Sequence, residues 1–95
     1  MDKYKFIQKL QNRTKQLALR IIKMYEQLRK NDSLRIIGKQ LIRSSTSTVA
    51  NYRAACRARS KAEFFAKMST VVEEADEAVF WLELLEESNL VPPLS

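Results

Sequence analysis

The sequence predicts an all-α protein, an antiparallel up-down helical bundle forming one domain over residues 1–95. Three observations predict it. The chain holds one Gly and two Pro, both prolines near the C-terminus, too few breakers for the tight turns of an all-β domain. Apolar residues recur at alternating intervals of three and four along three long stretches, which is the helical period. Turn and cap residues fall between those stretches. A hydrophobic content of 45% sets the chain apart from disordered polymers, and its length allows one modest core.

The first helix is expected over residues 3–30. Ile7, Leu10, Leu17, Ile21, Met24 and Leu28 form a heptad-like seam, with Thr14 filling the one gap. Ala18, Ile22 and Tyr25 add a second apolar strip, so neighbours are expected on two sides. "KNDS" at 30–33 reads as a turn, with Ser33 as N-cap of a second helix over 34–58. The seam of that helix opens with Leu34, Ile37 and Leu41 and then changes to Ser44, Thr48, Asn51 and Ala55. Small residues let helix backbones approach closely, and their hydroxyls can bond carbonyls one turn earlier. Ser60 with Glu63 three residues on forms a capping box, which starts a third helix over 61–87. Its seam reads Phe65, Met68, Val72, Ala75, Val79 and Leu82, with Trp81 and Leu85 beside it. Pro92 and Pro93 in the tail 88–95 cannot continue a helix. Three helices leave more apolar surface than they can cover. Either a fourth helix follows in a longer chain, or neighbouring subunits supply the cover.

Charge is unevenly spread. Residues 1–30 carry nine Lys/Arg against two acids, 31–58 carry five against one, and 59–95 carry three against eight, giving +7, +4 and −5. A basic face of this kind can meet phosphate, an anionic membrane or an acidic protein, including the acidic third of another copy. Lys9, Arg13, Gln16, Arg20, Lys23, Gln27 and Lys30 recur at three and four, so they make one line along the first helix. That line could follow a phosphate backbone. Equally, it could be a solvated face or pair with the acidic third helix of the same or a neighbouring subunit. Arg53, Arg57, Arg59 and Lys61 cluster at the corner between the second and third helices, with Tyr52 beside them to stack a base or ribose. Arg53 and Arg57 are like charges four apart. They call for an anion, either nucleic acid or an adjacent subunit. Arg43, among small residues, is expected to be partly buried and paired with Glu73 or Glu77, and Asn51 to hydrogen-bond across helices.

Catalysis is not indicated. The chain has no histidine, so no serine has a base of that kind, and Ser60–Lys61 is explained by the cap. Bundle metal sites combine Glu with Glu-x-x-His motifs, so the run Glu73, Glu74, Asp76, Glu77 predicts no metal, and no cofactor is expected. The single Cys56 excludes an internal disulfide and suits a reducing cytoplasm. No apolar run approaches the roughly 18 residues of a membrane span, and "MDKYKFIQKL" lacks the apolar core of a signal peptide. Membrane-surface binding by the first helix is weakened because its apolar strip is needed for packing.

The stretch "QLIRSSTSTVANYRAACRARSKAEFFAKMSTVVEEADEAVFWLELL" contains an Arg-Ser-x-x-Ser run at Arg43–Ser47. Asn51 leads into Ala55, Arg-Ser-x-x-Glu-Phe spans Arg59–Phe64, and an acidic Glu-x-x-x-Glu follows at Glu73–Glu77. This order and spacing resemble the four-helix bundle proteins also known as 23S rRNA intervening-sequence proteins. The resemblance covers about half of the chain. It implies a bundle of four antiparallel helices, commonly assembled as a ring of five copies. It also implies a bacterial source and ribosomal RNA as the usual suggested ligand. A related branch, similar in fold, binds nucleic acid as an accessory protein to a reverse transcriptase in diversity-generating retroelements, so such an enzyme is an implied partner. The chain departs from the pattern by stopping where the fourth helix should begin. The resulting expectation is a cytoplasmic, non-catalytic bundle that self-assembles and binds RNA or DNA through backbone phosphates. The rival is a protein-interaction scaffold whose basic face pairs subunits or an acidic partner.

Overall fold

The computed structural model describes residues 2–90. Three helices occupy almost all of them: α1 (Lys3–Gln27), α2 (Asp32–Ala55) and α3 (Lys61–Glu87). They make a rod of 44 × 25 × 19 Å. The prolines at 92 and 93 lie outside the described residues. α3 already ends at Glu87, and Asn89 just beyond its Ser88 cap has a positive φ of 59°, the left-handed conformation that closes helix C-termini.

Each helix begins at a side-chain cap. Asp2 accepts from the Tyr4 N–H at 3.0 Å, and the Ser60 hydroxyl accepts from the Glu63 N–H at 3.1 Å. Glu63 in turn accepts from the Arg59 N–H at 3.2 Å, so the expected capping box forms, displaced by one residue at its return bond. The cap of α2 is Asn31, whose side chain accepts from the Leu34 N–H at 2.8 Å, rather than Ser33. Both residue types cap well. The earlier start still places Leu34 inward, where it is almost fully buried. At their C-termini, α1 stops three residues before the expected end, at Gln27, and α2 stops at Ala55 instead of residue 58.

α2 and α3 form the close pair. Of the expected α2 seam, Leu34, Leu41, Ser44 and Ala55 are buried while Ile37, Thr48 and Asn51 are half-buried; Gly38 and Ser45, outside that seam, are buried as well, Gly38 against Tyr25 of α1. Hydroxyls bond back as anticipated. Ser44 donates to the carbonyls of Gln40 (2.9 Å) and Leu41 (3.2 Å), and Thr48 to that of Ser44 (2.8 Å). No hydroxyl needs a cross-helix partner, so the contact can be tight and dry. The buried edge of α3 is Val71, Ala78 and Leu85, one position away from the expected Val72 and Val79, which are exposed. Against the small residues of α2, the Val71–Ala78–Leu85 edge docks and the flanking bulk is left outside.

α1 lies mainly on α2 and makes no close backbone approach to α3. Its buried residues are Ala18 and Ile21, whereas Leu17 of the expected seam is 57% exposed. The small Ala18 lets the helix settle onto α2, which turns Leu17 toward the space beside α3. Ile21 nevertheless joins Leu34, Leu41, Ala78 and Leu85 in one core cluster, flanked by Met24, Tyr25, Trp81 and Leu82. Two open grooves result. One, of about 420 Å³, runs between α1 and α3 and includes Leu17, Met24, Val79 and Leu82. The other, also about 420 Å³, lies on the opposite flank of α1 and includes Leu19, Ile22 and Val49.

Candidate nucleic-acid interface

The line of cations on α1 survives folding as a line. Lys9, Arg13, Arg20 and Lys23 are exposed and sit roughly 140–180° around the helix from buried Ala18, over about 21 Å of its length. None of the four takes part in an ion pair among the described residues. Lys30 leaves the line. Its Nζ donates to the Leu28 carbonyl at 3.3 Å and sits 4.6 Å from the centre of the Tyr25 ring, a cation–π contact that ties the α1–α2 turn to the core.

The corner cations are exposed as well, and they divide between two cavities. Arg53 and Arg57 face α1 across a polar hollow of about 450 Å³, with Tyr4, Gln8, Gln11 and Cys56 in its walls. The same two arginines, with Lys15, close one end of the Leu19–Ile22 groove. Arg59 and Lys61 open instead onto a larger cavity of about 890 Å³ at the end of the bundle, shared with Tyr52 and several phenylalanines. None of these four cations is ion-paired among the described residues. Tyr52 is half-buried. Burial pushes its hydroxyl above the usual tyrosine range, with a hydrogen bond to Cys56 and the Cys56 charge adding to the effect. At neutral pH it is therefore a neutral phenol.

The polar pair is rearranged. Arg43 bridges α2 and α3, with its side chain 44% exposed. It binds Glu77 and, at 3.2 Å, Glu74, while Glu73 faces solvent without an ion-pair partner among the described residues. Glu74 and Glu77 stand three apart on one helical edge, a spacing that Glu73 and Glu77 also approach from the other side. The edge that faces α2 decides between them. Glu77 also accepts from the Trp81 indole N–H at 3.1 Å. Asn51 donates to the Ser47 carbonyl of its own helix at 2.8 Å and not across helices, the local bond that such side chains readily make within a helix.

Sequence reasoning missed Tyr4, Gln8, Gln11 and Lys15, which an up-down arrangement brings against the end of α2. The alternation of cation and aromatic in Lys3, Tyr4, Lys5 and Phe6 was the available signal. Among the described residues no group of three His, Cys, Asp or Glu could hold a metal ion, and no helix is long and apolar enough to cross a membrane.

The profile of the 23S rRNA-intervening sequence protein family matches residues 8–94. The chain belongs to that family. No curated protein and no solved structure matches it. The family match begins in the second turn of α1 and runs through α3, so both cation groups fall inside it.

Proposed function

We propose that this member of the 23S rRNA-intervening sequence protein family is a non-catalytic, phosphate-directed RNA-binding protein, with ribosomal RNA as its first candidate ligand. One observation carries the reading. Eight exposed cations, four on α1 (Lys9, Arg13, Arg20, Lys23) and four at the α2–α3 corner (Arg53, Arg57, Arg59, Lys61), have no ion-pair partner among the described residues. Unpaired like charges held at fixed positions repel one another and attract a polyanion. The family name is consistent with an RNA connection. Contacts of this kind position a backbone without reading sequence.

A second reading is supported by the two open grooves beside α1 and the acidic flank of α3. A second copy could seat its α3 against α1, covering exposed Leu17, Leu19 or Val79 and neutralising part of the array. Homo-oligomerisation, in a ring or otherwise, is compatible with RNA binding if it uses the grooves and leaves the back of α1 open.

Fluorescence polarisation with a ribosomal RNA fragment, repeated across salt concentrations, tests both. Binding should weaken linearly in log–log form by about 0.7–0.9 per phosphate neutralised. Reversing Arg20, Lys23 and Arg57 to Glu should abolish it while solution mass stays unchanged. Loss of the oligomer on reversal, with no RNA bound by the parent protein at low salt, would replace the RNA reading by the scaffold reading.

A further inference from the structure

We propose that the open end of the bundle is a stacking site for unpaired bases of single-stranded RNA. This rests on the RNA-binding reading and adds to it a ligand conformation and a second set of residues. In an up-down bundle the start of α1, the end of α2 and the start of α3 meet at one end. Here they enclose the cavity of about 890 Å³, within the size range of ligand sites. Three phenylalanines line it, and their exposure is the unexplained feature: Phe6 is 54% and Phe65 is 65% exposed, and Phe64 is 38%. Large apolar rings left open together are uncommon on a soluble surface and mark interaction sites. Phe64 and Phe65 meet edge to face with ring centres 5.8 Å apart, so the two rings present different planes.

The charge around these rings selects the occupant. Lys3, Arg59 and Lys61 line the same cavity, and none is ion-paired among the described residues. The two carboxylates at this end are engaged in helix caps: Asp2 holds the start of α1, and Glu63 accepts from the Arg59 N–H and also lies 4.0 Å from Lys67. Aromatic faces between unneutralised cations suit a ligand that alternates flat apolar rings with negative charge. Single-stranded nucleic acid has that pattern, and any base offers a face to an aromatic ring. A duplex keeps its base faces stacked inside, out of reach. The rings line a hollow instead of projecting from a convex surface, which favours an inserted base over a bilayer.

Binding of labelled oligoadenylate, oligouridylate and a duplex of matched length should be compared for the parent protein and for Phe6→Ala/Phe65→Ala. Both side chains are more than half exposed, so helical circular dichroism should be retained. The parent should bind oligoadenylate more tightly than oligouridylate, since purines stack more strongly. The double variant should lose roughly 5- to 150-fold for each base removed from a ring, with duplex affinity and the salt slope unchanged. Phe65→Leu, which keeps apolar bulk but not the aromatic face, should fall between the two. If the variants bind oligoadenylate as the parent does while salt-dependent binding persists, stacking is refuted and the phosphate reading stands. If the parent binds no nucleic acid at low salt, the phosphate reading itself fails. If the substitutions change the solution mass, the end is a subunit contact and the proposal is overturned.

Discussion

Gly38, the only glycine in the chain, sits inside α2, in its second turn, where it should be a weakness. Replacing glycine by alanine inside a helix ordinarily gains about 0.5–1 kcal/mol. Here the opposite should hold. A Cβ built on Gly38 would lie 2.5 Å from Cδ1 and 3.3 Å from Cζ of the Tyr25 ring, with Cε1 nearer still. Ordinary carbon contacts start about 1 Å farther out than the first of these, so ring or backbone must move. The ring is not a loose end: it packs against the core cluster and carries the Lys30 ammonium over it. Overpacking costs about 1–3 kcal/mol, and disturbing the cation–π contact adds roughly 0.5–1. After the helical gain is subtracted, Gly38→Ala should destabilise by about 1–3 kcal/mol. Urea denaturation followed by circular dichroism, at fixed protein concentration because any assembly shifts the midpoint, measures this. The decisive comparison is in the background of Tyr25→Ala. With the ring gone, Gly38→Ala should become stabilising by about 0.5–1 kcal/mol, a reversal of sign that a double-mutant cycle reports directly. Stabilisation by Gly38→Ala in the parent protein would refute the claim that Tyr25 is held against α2 and sets the seating of α1.

Further outcomes follow from the same packing. Ser44 is fully buried and its hydroxyl bonds only carbonyls of its own helix. Ser44→Ala should therefore change stability by less than about 1 kcal/mol, whereas Ser44→Leu should cost roughly 1–3 by forcing α2 and α3 apart; urea midpoints of the two variants check the contrast. Arg43→Ala should cost no more than about 1 kcal/mol despite its two carboxylate partners, because the group is 44% exposed, and added salt should shrink even that difference. Tyr52 has its hydroxyl pushed up by burial, so unfolding lets it ionise more easily. Its contribution is present below the ordinary tyrosine range and is lost as pH rises through the higher folded value. Tyr52→Phe should flatten the alkaline fall of the urea midpoint relative to the parent, and identical slopes would count against the assignment.

The helices were legible because their signals are local. Apolar intervals of three and four need only one strand of sequence, and the Ser60–Glu63 box is confined to four residues. Faces were harder. α1 carries two adjoining apolar strips, and nothing within the helix says which will dock. That choice belongs to α2, whose small residues admit Ala18 and exclude Leu17. α3 shows the same ambiguity between Val71 and Val72, resolved by the same surface. At the start of α2, Asn31, Asp32 and Ser33 are all competent caps, and the selection among them turns on burying Leu34. The cation line on α1 could be read directly, since a helix fixes its own azimuths. The aromatic cavity could not, because Lys3, Phe6, Tyr52, Arg59 and Phe65 come from three elements and meet only when the bundle closes.

The way α1 is seated has an electrostatic consequence. The chain divides into a segment of +7, one of +4 and one of −5. A symmetric packing of three helices would set the first against the third and cancel much of the charge. Instead α1 rests on α2, itself basic, and makes no close backbone approach to α3, which it meets only through side chains of the core. Among the described residues only Arg43 forms an ion pair from the basic segments to the acidic helix, and it engages Glu74 and Glu77. The charge that remains on the back of α1 is therefore a product of the docking geometry as well as of composition. It raises the repulsion within the folded chain, and the groove that separates α1 from α3 is the space through which relief would have to come. A polyanion on the outer face relieves it without closing the groove. A second copy's acidic helix in the groove would reach Arg20, which lines it, and would leave Lys9 and Lys23, farther round α1, unrelieved. Salt titration of binding and of solution mass on one sample thus separates the two sources of relief, since only the first scales with the number of cations on the back of α1.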